Sequence, residues 1–391
     1  MLASASAAQA AVSFVTFGLP AIGPGLRREF GLSLPELGAV LTANLFGAGL
    51  ALIAAAIAVD HVGARRATFG GTVLATLGLG IAATAHSKLL LFAALLVSGV
   101  GSAVVPVAGA GALFRVYAPD RRAFALGVRQ MAVPLGGTIA ALLMPGLEAI
   151  GGVGLALAVG AVAVGATGVA FAVVPEETGL PARRGSRAFQ SIWRAPGMQR
   201  LLVVASLYIV VLQAVLAYTV PASRAAGLSA FAASATYFAV NVTAMGARIF
   251  WGRLADRNGG TRRSRTLTEV GAVAAVGALL FASALHGGAV VVVPAAILFG
   301  FGALGWNALV YVSAGERATA PELAAPSVAV AATVVFLLAA IATPPLGALA
   351  AHAGWDAFWA TTAVLAALGA VVAARLPHTL QGERTLSSLE G

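Results

Sequence analysis

The stretch Asp60-His61-Val62-Gly63-Ala64-Arg65-Arg66 returns later in the chain as Asp256-Arg257-Asn258-Gly259-Gly260-Thr261-Arg262-Arg263. In each copy an apolar run of membrane-spanning length ends at an Asp, a Gly follows three residues on, and a basic cluster precedes another apolar run. A turn repeated at half the chain length implies two structurally similar halves, and paired repeats of this size are a recurrent way of building a polytopic membrane bundle.

Composition fixes the solvent. Of the 391 residues 60% are hydrophobic and 10% charged, and the mean hydropathy is +0.94; soluble domains average about 45 to 50% apolar and about 25% charged. The chain reads as an integral membrane protein. A span needs roughly 20 mainly apolar residues, because each backbone polar group must be satisfied inside a helix. Twelve such runs are present, at 3–25, 36–58, 67–86, 89–113, 123–147, 152–174, 200–222, 231–253, 266–285, 288–314, 327–350 and 354–375. They leave almost nothing for a soluble domain. Residues 1–8 hold no Lys or Arg, and the first run ends in Pro20, Gly23 and Pro24, so it reads as a retained helix rather than a cleaved signal. With no cysteine in the chain, disulfides and Cys-ligated metals are excluded.

The net charge of +10 invites a nucleic-acid reading, but its placement argues for membrane topology. With both termini on one side, Arg27, Arg28, Lys88 and Arg224 fall in outer segments and Arg129 and Arg248 within runs; the rest of the 24 Lys and Arg fall on the inner side. By the positive-inside rule both termini are cytosolic, in a plasma or bacterial inner membrane, and no polyanionic partner is needed. Residues 1–174 then form one six-helix bundle and 200–375 a second. The polar stretch 175–199, with Arg183-Arg184-Gly185-Ser186-Arg187, forms a cytosolic linker, and 376–391 a short tail.

Twelve spans in two halves, a central linker and the repeated Asp-x-x-Gly turn after the second and eighth runs resemble the major facilitator superfamily. The copy Gly252-Arg253-Leu254-Ala255-Asp256-Arg257-Asn258-Gly259 is close to its signature, whereas the first copy has Ala56 in place of the leading Gly. Pro134-Leu135-Gly136-Gly137 in the fifth run is similar to the glycine-rich stretch found there in that family. The resemblance implies an all-α membrane protein, two pseudo-symmetric six-helix bundles that rock about a central site, and a monomer with a small-molecule substrate, the lipid bilayer as its surroundings and no cofactor.

The turn suits a gate. An Asp at a helix C-terminal end opposes the local dipole, so Asp60 and Asp256 need partners such as Arg65, Arg257 or a facing helix. Gly63 and Gly259 permit the tight turn, and Gly252 close helix packing. The plainer reading is that these residues fix topology only.

Two arginines lie within runs. Arg248 is eight residues before Asp256, roughly 12 Å inside the cytosolic edge; Arg129 is seven residues after Arg122, roughly 10 Å inside. Each costs about 2.5 to 3.5 kcal/mol to bury. Arg129 shares a stripe with Ala132 and Gly136; its structural reading is snorkelling or pairing with an acid such as Glu269. The functional reading gives one or both guanidiniums an anionic substrate group. Arg248 in Gly246-Ala247-Arg248-Ile249-Phe250-Trp251-Gly252 resembles the substrate-contacting Arg of monocarboxylate-handling members of the superfamily. Trp306, Asn307 and Tyr311 in the tenth run, Gln213 and Tyr218 in the seventh, Asn44 in the second and Asn241 in the eighth are further candidates, each also suited to an interhelical hydrogen bond.

All 14 Asp and Glu fall at or near predicted helix ends or in loops, which disfavours a buried acid that pairs with cationic drugs. No His-Glu-x-x-His helix or intramembrane Asp pair is present, so a membrane enzyme is not expected. The sequence therefore points to a secondary transporter of a small organic anion, with efflux of amphipathic or neutral compounds as the alternative.

Overall fold

The computed structural model describes residues 2–109, 119–172, 186–256, 263–319 and 323–377, and every regular element among them is helical. In chain order these are α1 (Leu2–Gly18), a 3₁₀ turn (Leu19–Ile22), α2 (Gly23–Phe30), α3 (Leu34–Val62), α4 (Ala64–Ala83), α5 (Lys88–Ser102) and α6 (Pro119–Ala172). They continue as α7 (Ser186–Arg194), α8 (Met198–Ala225), α9 (Ala230–Asp256), α10 (Arg263–Ala284), α11 (Ala289–Ala303), α12 (Asn307–Glu316) and α13 (Ala324–Ala374). Backbone groups in hydrocarbon have no water to bond, and long helices satisfy them internally.

Among the described residues nine stretches are long and apolar enough to cross a membrane. Two of these, Met131–Ala170 of 40 residues and Pro326–Ala374 of 49, exceed what one crossing of about 30 Å requires. Each contains a break. In α6 it falls at Gly151 and Gly152 (φ 70°), and in α13 at Gly354 (φ 81°), so each is two helices joined at a break. The apolar helix α9 is interrupted by Arg248, Arg253 and Asp256. Together the nine stretches, the two breaks and α9 leave room for all twelve runs.

The exterior of the bundle carries large apolar side chains: Ile53 is 67% exposed, Leu142 67% and Val162 71%. In water such a belt would be an association surface; against lipid it is the expected outer face. Helix ends are made by local chemistry. Ser33 opens α3 through a capping box with Glu36, and Ser87 opens α5 by accepting from the Leu90 N–H. Between α3 and α4 there is no loop, only Gly63 at φ 87°, a conformation that a side chain would strain.

Inside, α1 lies along α6, and α13 is held by α3, α8 and α10. The crossing of α3 and α13 runs from Gly38, against Thr343 and Pro344, to Gly49, against Leu337. The segment 175–199 is not the plain polar linker expected from its composition, because α7 forms within it. Ile192 is buried there and Ser191 Oγ lies 3.0 Å from Thr319 Oγ1. Its apolar residues give it one face to bury, which a solvated tether lacks.

Candidate functional site

The span Ala289–Glu316 is broken where α11 joins α12. The Gly305 N–H turns back to the Gly302 carbonyl, leaving that of Phe301 without its helical donor. Trp251 on α9 donates its indole Nε1–H to that carbonyl at 2.8 Å. The Leu304 carbonyl precedes the helix cap at Trp306 and faces Arg248 Nε at 3.5 Å. Residues 248 and 251 stand three apart on one face of α9, so one helix stripe closes the open backbone of the break. Phe250, Trp251 and Phe301 pack their rings 5.1 to 5.3 Å apart beside it.

Arg248 is half-buried and lies within electrostatic range of Tyr311 on α12. Asn307 is the first residue of α12, and Tyr311 follows one turn later on the same face. The Asn307 Oδ1 is buried and accepts no hydrogen bond from the described residues, and the Nε1 of the fully buried Trp306 donates none. Trp306 stacks toward Tyr208 at 6.0 Å. The structure therefore places Arg248, Asn307 and Tyr311 around one break.

The other predicted polar residues serve helix packing. Gln213 donates from Nε2 to Thr343 Oγ1 at 3.2 Å, and the Tyr218 hydroxyl donates to the Thr343 carbonyl at 2.7 Å, so both tie α8 to α13. Asn241 donates to the Tyr237 carbonyl on its own helix, and its Oδ1 fills the space that Gly137 leaves on α6. Asn44 joins Thr16 of α1 to Ser98 of α5. Gln213, Tyr218 and Asn44 bond to neighbouring helices and Asn241 to its own, as polar side chains in hydrocarbon do when no ligand claims them.

Arg129 neither snorkels nor pairs with Glu269, whose partner is Arg265. It is 3% exposed and donates from Nη2 to Gln9 Oε1 at 2.8 Å and to the Val105 carbonyl at 3.2 Å. Gly109 makes the room, since a Cβ there would stand 2.7 Å from Arg129 Nε. The stripe shared with Ala132 and Gly136 packs on α1, where Gly136 meets the backbone of Ala10 and Phe14. The guanidinium is thus a bridge from α6 to α1 and to the segment after α5, with its Nε left unbonded.

Of the residues expected at a gate, Asp256 is exposed and accepts from Arg263 at 3.3 Å, and Arg263 also pairs with Glu316 at the end of α12. The start of α10 is so tied to the ends of α9 and α12. Arg65 is half-buried in the first turn of α4. Asp60 belongs to α3, while its side chain, Arg257 and Gly259 lie outside the described residues. Gly252 does not pack closely: a Cβ there would have nothing within 4 Å.

Contacts that sequence reasoning missed join 2–172 to 198–374. The Tyr237 hydroxyl on α9 donates to the Phe17 carbonyl at 2.6 Å, Thr42 Oγ1 reaches the Ala340 carbonyl at 3.4 Å, and the Tyr218 hydroxyl lies 3.5 Å from the Leu34 carbonyl. Proline explains two acceptors. Pro344 has no N–H for the Ala340 carbonyl, and Pro20, where α1 gives way to the 3₁₀ turn, has none for the Phe17 carbonyl. Prolines set in apolar runs were the signal available.

Comparison with known proteins places this geometry. The family model described as Major Facilitator Superfamily matches residues 5–344. Two uncharacterised MFS-type transporters of Mycobacterium tuberculosis, strains CDC 1551 / Oshkosh and ATCC 25618 / H37Rv, are 29% identical over 130 residues. That match takes in 33% of this chain and 29% of theirs. The fold is similar to a crystal structure of a D-xylose-proton symporter (TM-score 0.78, 14% identity, 97% of this chain and 98% of that one). It is also similar to an inward-facing, unoccupied bacterial homologue of the human lysosomal transporter Spinster (TM-score 0.76, 15% identity, 96% and 95%). With the family model matching most of its length, the chain belongs to the Major Facilitator Superfamily.

Proposed function

We propose that this chain is a secondary transporter that works by alternating access and carries a small organic carboxylate. The observation that carries the reading is Arg248 at the α11–α12 break, with Tyr311 in its field and Asn307 opening α12 just after that break. Among the described residues every Asp and Glu lies within about two turns of a helix end or break, so the interior of the bundle is positive. A planar guanidinium suits a carboxylate, and its field in a low-dielectric span selects anions over cations.

In this reading residues 1–174 and 200–375 are the rocking halves, and both termini and the linker face the cytosol of an inner or plasma membrane. Asp256 and Asp60 belong to the cytosolic gate. The hydroxyl-to-carbonyl bond of Tyr237 holds the outer side together and parts when it opens. Arg129 is a positioning residue that sets α1 against α6.

The test is uptake of radiolabelled mono- and dicarboxylates into proteoliposomes, with pH and Na⁺ gradients imposed separately. Loss of a charge-assisted pair is worth about 1.5 to 3 kcal/mol, or roughly tenfold to hundredfold in binding. Arg248→Ala should lose carboxylate binding by that factor and Arg248→Lys by less, both still folded. Thermal stabilisation by lipophilic cations, unaffected by Arg248→Ala, would instead establish efflux of amphipathic compounds.

A further inference from the structure

We propose that the transported acid is a hydroxy-carboxylate, and that Asn307 reads its hydroxyl. The inference rests on the assignment of Arg248 to a carboxylate and adds what that assignment leaves unexplained. Asn307 Oδ1 is a buried acceptor to which no described residue donates, whereas Gln213 and Asn241 each make bonds to neighbouring groups. A buried polar atom without a partner is uncommon in a folded protein and asks for an explanation. It lies at the break whose Leu304 carbonyl faces Arg248, one turn before Tyr311.

The chemistry narrows the ligand. As placed, the Asn307 amide turns its oxygen, an acceptor, to the buried side, and a carboxylate offers acceptors only. A plain carboxylate on Arg248 therefore leaves the amide oxygen unserved. A ligand that brings a donor serves it directly. An ammonium would do so at the cost of repulsion from Arg248, and no described Asp or Glu stands deep in the span to balance it. A neutral hydroxyl beside the carboxylate carries no such cost. It donates to Oδ1 while the carboxylate takes the guanidinium, and the Tyr311 hydroxyl is on the same face to add a second donor to the acid.

Matched acids that differ by one hydroxyl test this in proteoliposomes holding the full chain: lactate against propionate, and malate against succinate. The wild type should prefer the hydroxy member of at least one pair by about tenfold in kcat/KM, the value of one hydrogen bond. Asn307→Leu should bring that ratio close to one, and Asn307→Ser, which restores a small acceptor, should recover part of it. The same ratio in ligand-induced thermal shifts reads binding without transport. Equal handling of both members by the wild type, as a water filling the place would give, overturns this inference and leaves Arg248 with its carboxylate. A preference that Asn307→Leu leaves intact also overturns it. Failure of all four acids to bind or move overturns both readings together.

Discussion

Tyr237→Phe isolates a single bond between the two halves. The ring is wholly buried, so Phe fills the same space and only the hydroxyl is lost. That hydroxyl donates at 2.6 Å to the Phe17 carbonyl, at the point where α1 passes into its 3₁₀ turn and Pro20 offers no N–H. Interhelical hydrogen bonds in membranes are worth about 0.6 kcal/mol on average and about 1.7 at most. If the bond exists only while this side is closed, its loss raises the ratio of parted to closed molecules by about 3-fold to 18-fold. The chain contains no cysteine, so paired spin labels can be placed without background. Ile150 on α6 and Phe231 on α9 are 82% and 84% exposed, and α6 and α9 pack on each other. Electron–electron double resonance between cysteines at these sites should show a long-distance population that grows by that factor in the Phe variant. An unchanged distribution, with Tm lowered all the same, would mean that the bond supports the fold in both states and does not hold a gate.

Three further outcomes follow from named contacts. Gly137→Ala puts a methyl group against Asn241 Oδ1; it should cost about 1 to 3 kcal/mol as overpacking, read as a lower Tm, and an unchanged Tm would show that α6 and α9 part freely. Asp256→Asn removes one exposed ionic partner of Arg263, which keeps Glu316; stability should change by less than about 1 kcal/mol, while labelling of cytosolic-side cysteines rises. If neither labelling nor transport responds, the turn is a topology signal alone. For orientation, Gln190 and Ala226 are both exposed, and cysteines there should be reached by an impermeant reagent in intact cells only at 226; the reverse pattern would invert the topology.

The helices were legible because the bilayer converts hydropathy into geometry. A run of about 20 apolar residues must be a helix, and the depth of Arg248 follows from the rise per residue. Rotation about the helix axis is not written in the same way. In α8 and α9 the polar residues are scattered rather than set in one stripe that tells which face meets a neighbour, and Gln213, Tyr218 and Asn241 looked as available to a ligand as Asn307 did. The break between α11 and α12 was hidden for the same reason, since Gly302-Ala303-Leu304-Gly305-Trp306 sits inside one continuous apolar run. Backbone carbonyls leave still less trace, because an acceptor orphaned by geometry has no side-chain signature unless a proline lies four residues on, as Pro344 does for Ala340.

What separates these residues is hydrogen-bond accounting. Hydrocarbon offers no competing partner, so a polar side chain within a span has to be answered by another helix, by the backbone, by water or by a ligand. The Tyr218 hydroxyl is answered by a carbonyl of α13, the Asn241 amide by the backbone of its own helix, and the Arg129 Nη2 by Gln9 and Val105 while its Nε stays unbonded. These belong to the fold. At the break the Asn307 oxygen has no answer from the described residues while it shares a helix face with Tyr311, itself in the field of Arg248. A site for a soluble ligand has to keep such groups in reserve, since a group already satisfied by protein gains nothing when the ligand arrives. On that ground we propose the α11–α12 break, rather than the middle of α8, as the substrate site.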